Sequence, residues 1–325
     1  MKTSIKIITA LVLVFLFGLH GCYEDYVNDF DYSVVYFGAQ KPLRTLVARQ
    51  GQDELVFKIG VGIGGLHKDL HTTKTYEVKY MYDPDLLNTV EGAETLTELP
   101  KDWYTIDNGD DFTFYIPPGK AIGDCPVRIN KEKFVSDPGS LGNKYALPFR
   151  LLTTTADSIL ANKNWTIIVI KYVDERSGYY WCRGWQAEWD VNTQLVIPST
   201  KQEYTHVDDH RNRLRLINTL SLTRFELQGM GTQGNLSGSA PAADQMIIEL
   251  VDGNVSLVRK AANTNDIEDL GSSYNPNDKT FTLNYIYTKA DKSYRVFEEL
   301  KLRQDVEKEL RFEVWMEEEE IIDEG

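Results

Sequence analysis

Residues 165–189 read WTIIVIKYVDERSGYYWCRGWQAEW. The first part, Trp165 to Val173, is a β-branched and apolar run of strand length. Asp174-Glu175-Arg176-Ser177-Gly178 then interrupts the apolar pattern and marks a boundary between two units. A second strand-like run follows at once. In it Trp181, Trp185 and Trp189 stand at even offsets, so an unbroken strand places all three on one face with Tyr179 and Arg183. Gly184 is the residue able to bend or bulge that strand. The chain is therefore expected to be β on both sides of its midpoint.

Working outward supports this. Upstream, YSVVYFG, RTLVAR, ELVFKIGVGI, KTYEVKYMYD, DFTFYIPPG, PVRIN and YALPFRLLTTT are strand-like runs separated by Gly, Pro, Asn or Asp. Only Asp83 to Pro100 suggests a short helical turn. Seven to nine short strands in about 140 residues is the pattern of an immunoglobulin-like β-sandwich. Downstream, TQLVIP, KQEYTHV, LRLINTLSLTRFEL, QMIIELVDGNVSLV, KTFTLNYIYT, SYRVFEELKLR and RFEVWM continue the β pattern, with Asp252-Gly253 as a hairpin signal. The expected fold class is all-β, an N-terminal immunoglobulin-like sandwich over 32–173 and a β-barrel or second β-sandwich over 177–316. The acidic stretch 317–325 reads as a frayed tail.

Of the 325 residues, 11% are aromatic, with 18 tyrosines and 6 tryptophans, and the formal charge is −14. So acidic a surface argues against nucleic acid and against electrostatic docking on anionic lipid. Besides Cys22 the only cysteines are Cys125 and Cys182, which read as two separate buried thiols, with a Cys125–Cys182 bridge in an oxidising compartment as the alternative, and which offer no zinc-type spacing.

The N-terminus has Lys2 and Lys6, then an apolar stretch ending at Leu19-His20-Gly21-Cys22. The run Ile7 to Leu19 is 13 residues, short of the roughly 20 needed to cross a bilayer. Residues 1–21 are read as a secretory signal. The ending resembles a bacterial lipobox, which implies that Cys22 is lipidated and becomes the mature N-terminus. Removal of 1–21 would leave 304 residues and, with the two lysines gone, a charge of −16. Residues 22–31, CYEDYVNDFD, read as a tether.

DYSVVYFGAQKPLRTLV and VGIGGLHKDLHTTKTYEVKY with its following DPDLLN resemble the N-terminal domain-of-unknown-function family 1735. GSSYNPNDKTFTLNYIYTKADKSYRVFEELKLR resembles the C-terminal domain family 4361. The resemblance implies a Bacteroidetes surface lipoprotein of the outer membrane, working beside glycan-uptake proteins, with an immunoglobulin-like first domain and an all-β second one; the DxxDxDxE signature of a family-18 glycosidase is not seen in this sequence. Glu24 and Asp25 fit the acidic export signals of such lipoproteins, and Asp157-Ser158-Ile159 fits the short O-glycosylation pattern of that phylum.

Candidate chemistry is sparse. Gly60 to Gly65 formally fits GxGxxG, but LHKDLHTTKT behind it is a poor helix, so a turn is expected. His67 with His71, and His206 with Asp208, Asp209 and His210, lie in polar sequence without a further implied ligand, so no metal or other cofactor is expected. Glu188 and Asp190 are the acids nearest the tryptophans, and chance pairs are common among 49 acids. The row Tyr179, Trp181, Arg183, Trp185, Trp189 admits two readings. Buried, it is a barrel core. Exposed, its rings would stack on pyranose C–H faces while Arg183 bonds hydroxyls, making it a glycan site. The expected activity is non-catalytic glycan binding, with a structural or adhesin subunit as the alternative and a hydrolase behind both.

Overall fold

The computed structural model describes residues 32–65, 74–108, 111–204, 213–234, 238–263 and 265–316. The signal segment with Cys22, the tether, the acidic tail and the four histidines with Asp208 and Asp209 lie outside the described residues.

The first unit runs through β1 (Val34–Tyr36), β2 (Pro42–Ala48), β3 (Glu54–Gly64), β4 (Tyr76–Tyr82), β5 (Thr97–Glu98), β6 (Tyr104–Ile106), β7 (Thr113–Ile116), β8 (Ile122–Asn130), β9 (Tyr145–Thr154), β10 (Ser158–Ile159) and β11 (Trp165–Asp174). Short helices α1 (Leu86–Thr89) and α2 (Lys131–Ser136) interrupt it, α1 falling in the stretch expected to turn. The strands form two sheets. One has the order β10-β1-β3-β8-β6, and the other contains β2-β11-β9-β4-β7 with β5 beside β9. Alternation along β3 turns Leu55, Phe57, Ile59 and Val61 inward against Phe114, Phe149 and Ile170 of the facing sheet. That is the sandwich core.

β11 explains its own continuous apolar run. Ile168, Ile170 and Tyr172 face the sandwich core. Ile167 and Val169 face a second apolar layer made with Leu43, Leu86, Leu87 and Ala146. A strand covered on both faces needs no polar alternation. Gly60 and Gly62, expected in a turn, lie within β3 opposite Asp124 and Ile122; only Gly65, at φ 82°, has a turn conformation.

The second unit comprises β12 (Gly178–Asp190), β13 (Leu195–Val196), β14 (Gln202–Glu203), β15 (Arg213–Thr219), β16 (Arg224–Gln228), β17 (Gln245–Val251), β18 (Asn254–Arg259), β19 (Ile267–Asp269), β20 (Ser273–Asn275), β21 (Thr280–Lys289) and β22 (Lys292–Leu302). Their order is β18-β17-β16-β15-β12-β22-β21-β19, and the edges β18 and β19 lie against one another. The sheet is thus a nearly closed barrel, filled by Tyr180, Ile217, Phe225, Met246, Leu283 and Val296. Asp252 (φ 51°) and Gly253 (φ 83°) form the β17–β18 hairpin, the doubly left-handed turn that Asp-Gly favours.

Asp174 and Arg176, at the junction, form a two-pronged ion pair. Arg176 Nη2 also donates to the Leu222 carbonyl at 2.9 Å, fastening the sandwich to a barrel turn. Residues 311–316 come last in the expected second unit, yet they contribute β23 (Glu313–Val314), which pairs with β2 of the sandwich. Trp315 Nε1 donates to the Ile167 carbonyl at 2.8 Å. Cys125 and Cys182 are free, buried and in different cores. Burial pushes the Cys125 thiol up to about 11 and the Cys182 thiol well above its usual value, so neither is a reactive thiolate.

Candidate functional site: the outer face of β12

β12 is continuous through Gly184. Its register with β22 runs without a shift from Tyr180↔Leu302 to Trp189↔Ser293. Tyr180, Cys182, Gly184 and Gln186 point into the barrel and are buried. Tyr179, Trp181, Arg183, Trp185 and Trp189 are half-buried on the other side. None of the three tryptophans belongs to the barrel core or packs against it. The row is thus neither in the barrel core nor fully exposed: its side chains lie half-buried on the outer face.

Directly opposed residues of neighbouring strands share a face, with Cβ atoms about 5 Å apart. On this face Trp181 stands opposite Lys301, Arg183 opposite Glu299, and Trp185 opposite Phe297. Arg183 Nε donates to Glu299 Oε1 at 3.1 Å, which fixes the guanidinium between two indoles. Phe297 is 36% exposed. Lys201 reaches over Trp185, 5.2 Å from the ring centroid, and pairs with Glu203 at 2.6 Å. Trp181, Arg183, Trp185 and Phe297 therefore make one aromatic strip bordered by cations.

The ends of the row differ. Arg303 stacks over Tyr179 at 5.0 Å. Trp189 is set apart from Trp185 by buried Ala187, opposite which lies Arg295. Among the described residues Arg295 Nη1 is buried without a hydrogen-bond partner, and burial lowers the pKa of the guanidinium. Beyond Trp189, Val191 in the β12–β13 turn and Leu195 at the start of β13 are both more than 60% accessible. Glu188 is tied to Lys292 at 2.5 Å. Asp190 accepts from the backbone N–H of Asn192 at 2.9 Å, and such bonds hold its carboxyl below the usual range. Each acid thus already has a local role. Asp157 likewise accepts from Ser33 N at 2.7 Å. Among the described residues no group of three or more His, Cys, Asp or Glu side chains could hold a metal.

Beneath the strip lies a polar network that the sequence did not disclose. Glu298 and Arg215 are fully buried and 3.4 Å apart. Tyr204 and Tyr285 donate to the Glu298 carboxylate at 2.9 and 3.0 Å. Arg215 also donates to the Gly231 carbonyl, while the Gly231 N–H donates to Tyr285 Oη at 2.8 Å. Gln186 accepts from Thr232 N at 3.0 Å and from Tyr287 at 2.9 Å. The 229–233 loop is thereby pinned inside the barrel, and β12 and β22 are locked in register behind the strip.

A family model for a "-like, N-terminal domain" matches residues 29–158. No curated protein matches. A Bacteroides ovatus protein of unknown function is similar in structure, with TM-score 0.63 and 19% identity over 84% of this chain and 95% of that one. Weaker matches include a B. ovatus multidomain protein including DUF1735 (TM-score 0.38, 11% identity, 84% and 94% covered). Another is a proposed carbohydrate-binding protein from B. ovatus (TM-score 0.32, 14% identity, 69% and 66% covered). The chain is thus similar in fold, along most of its length, to a Bacteroides protein of unknown function.

Proposed function

We propose that this chain is a non-catalytic, lipid-anchored cell-surface protein that binds glycan on the outer face of β12 for an outer-membrane uptake system. The observation that carries the reading is the in-register strip of Trp181, Arg183, Trp185 and Phe297 on a rigid strand outside the barrel core. Flat indoles offer apolar faces to pyranose C–H groups, and Arg183, Lys201 and Lys301 place donors at the rim for hydroxyls. Tyr179 and Trp189 extend the row at either end. Anchoring rests on the lipobox-like residues at Cys22, where several acyl chains would hold firmly. The sandwich then acts as a spacer between lipid and barrel.

Affinity electrophoresis of a soluble form lacking 1–22, in gels cast with soluble polysaccharides, tests this. Retardation is expected in at least one gel. Trp185→Ala should weaken it by about thirty-fold, the equivalent of about 2 kcal/mol for an interface aromatic. No retardation in any gel, or retardation unchanged in Trp185→Ala, contradicts the assignment.

A docking subunit is the second reading, favoured by the exposed Val191 and Leu195 next to Trp189. Co-purification with an outer-membrane partner, with no response to any glycan, would favour it over the first.

A further inference from the structure

Arg44 is a charged residue in an inward-facing position. On β2 it pairs with Ile170, a core residue, and Leu46 two places on is in the same core. Its guanidinium lies at the open rim between the two sheets and stacks against Phe312, 5.7 Å from the ring centroid. Among the described residues it has no carboxylate partner and no hydrogen-bond acceptor, unlike Arg128, Arg150, Arg176 and Arg183, which each have an acid. Burial lowers its pKa, so the cation bears a desolvation cost that no neighbouring charge offsets.

The guanidinium opens into a cavity of about 320 Å³ between β2 and β3, the lower end of the range for small-ligand sites. Phe37, Ile59 and Ile168 make its apolar walls, and Phe312, 66% exposed, forms a lip. Gly38 and Gly60 also line it. Lys58 stands on the rim, held 3.1 Å from Asp124. A cation able to grip a carboxylate in two-pronged fashion therefore sits against an aromatic ring in a space of monosaccharide size. On a chain of charge −14, long-range attraction for anions is absent, so any such recognition has to be built locally.

We propose that this cavity is a second binding site, distinct from the β12 strip, for a carboxylate-bearing sugar such as a uronic acid. The carboxylate pairs with Arg44, and the apolar face of the pyranose lies along Phe312 and Ile59. The proposal stands apart from the glycan reading of the strip.

Calorimetric titration with free D-galacturonate, D-galactose and acetate tests it. Galacturonate should bind at least ten-fold more tightly than either of the others. Arg44→Gln should lose at least ten-fold, Phe312→Ala should weaken binding, and Trp185→Ala should leave it unchanged. Equal affinity for galactose removes the role of Arg44, and equal affinity for acetate removes the sugar. Undiminished binding by Arg44→Gln, loss of binding in Trp185→Ala, or no binding at all overturns the proposal.

Discussion

Glu298→Leu is expected to destabilise the barrel by about 3–5 kcal/mol, the cost of leaving its partner's charge buried and unpaired. Arg215 is completely inaccessible and stands 3.4 Å from the carboxylate. Tyr204 and Tyr285 would lose their acceptor at the same stroke. Among the described residues Arg215 Nε already has no hydrogen-bond partner. Adding Arg215→Met to Glu298→Leu should restore much of the loss, because removing both charges also removes the desolvation cost. Urea unfolding followed by intrinsic fluorescence reads both variants. A Glu298→Leu protein as stable as the parent, or a double variant less stable than the single, would contradict this account of the network.

Gly184→Ala should cost about 3 kcal/mol, near the upper end of ordinary overpacking penalties. A Cβ at this position would stand 2.0 Å from the Phe297 carbonyl oxygen and 3.0 Å from Glu298 Cα. Both obstacles are backbone, so no side-chain rotation relieves them; β12 and β22 must move apart. That separation strikes the aromatic strip from behind, because Arg183 and Trp185 flank Gly184 and Phe297 faces Trp185. Reduced stability should therefore come with weakened polysaccharide retardation, whereas Ala187→Gly, on the outer face, has no such clash to create. Full stability of Gly184→Ala would mean that the strands are not packed as described.

Much of the architecture is legible in the sequence. Period-two alternation gave β3, and Asp252-Gly253 gave its hairpin, since both rest on local backbone preferences. Strand periodicity likewise put Tyr179, Trp181, Arg183, Trp185 and Trp189 on one side of β12. It could not say which side faced water, because the inner set is itself mixed. Tyr180 and Cys182 are apolar, but Gln186 is not, and across the strand pair lies Glu298. Large indoles beside such residues fit a core as well as a surface. The members supplied from elsewhere in the chain, Phe297, Lys301 and Lys201, were beyond reach because contacts between segments separated in sequence leave no local trace. The same holds for Arg215 with Glu298 and for β23 returning to β2. The glycines of β3 misled because glycine serves close strand packing as well as turns: a Cβ at Gly60 would stand 2.7 Å from the Gly123 carbonyl oxygen of β8.

The central claim is that the outer face of β12 recognises glycan while the barrel stands without it. The most direct measurement is polysaccharide retardation of a Trp181→Ala/Trp185→Ala double variant, in a gel that retards the parent and with its unfolding midpoint taken alongside. The account predicts a folded protein, destabilised by no more than about 1–2 kcal/mol as for partly exposed positions, that migrates as in a polysaccharide-free gel. A folded double variant still retarded as strongly as the parent would contradict it.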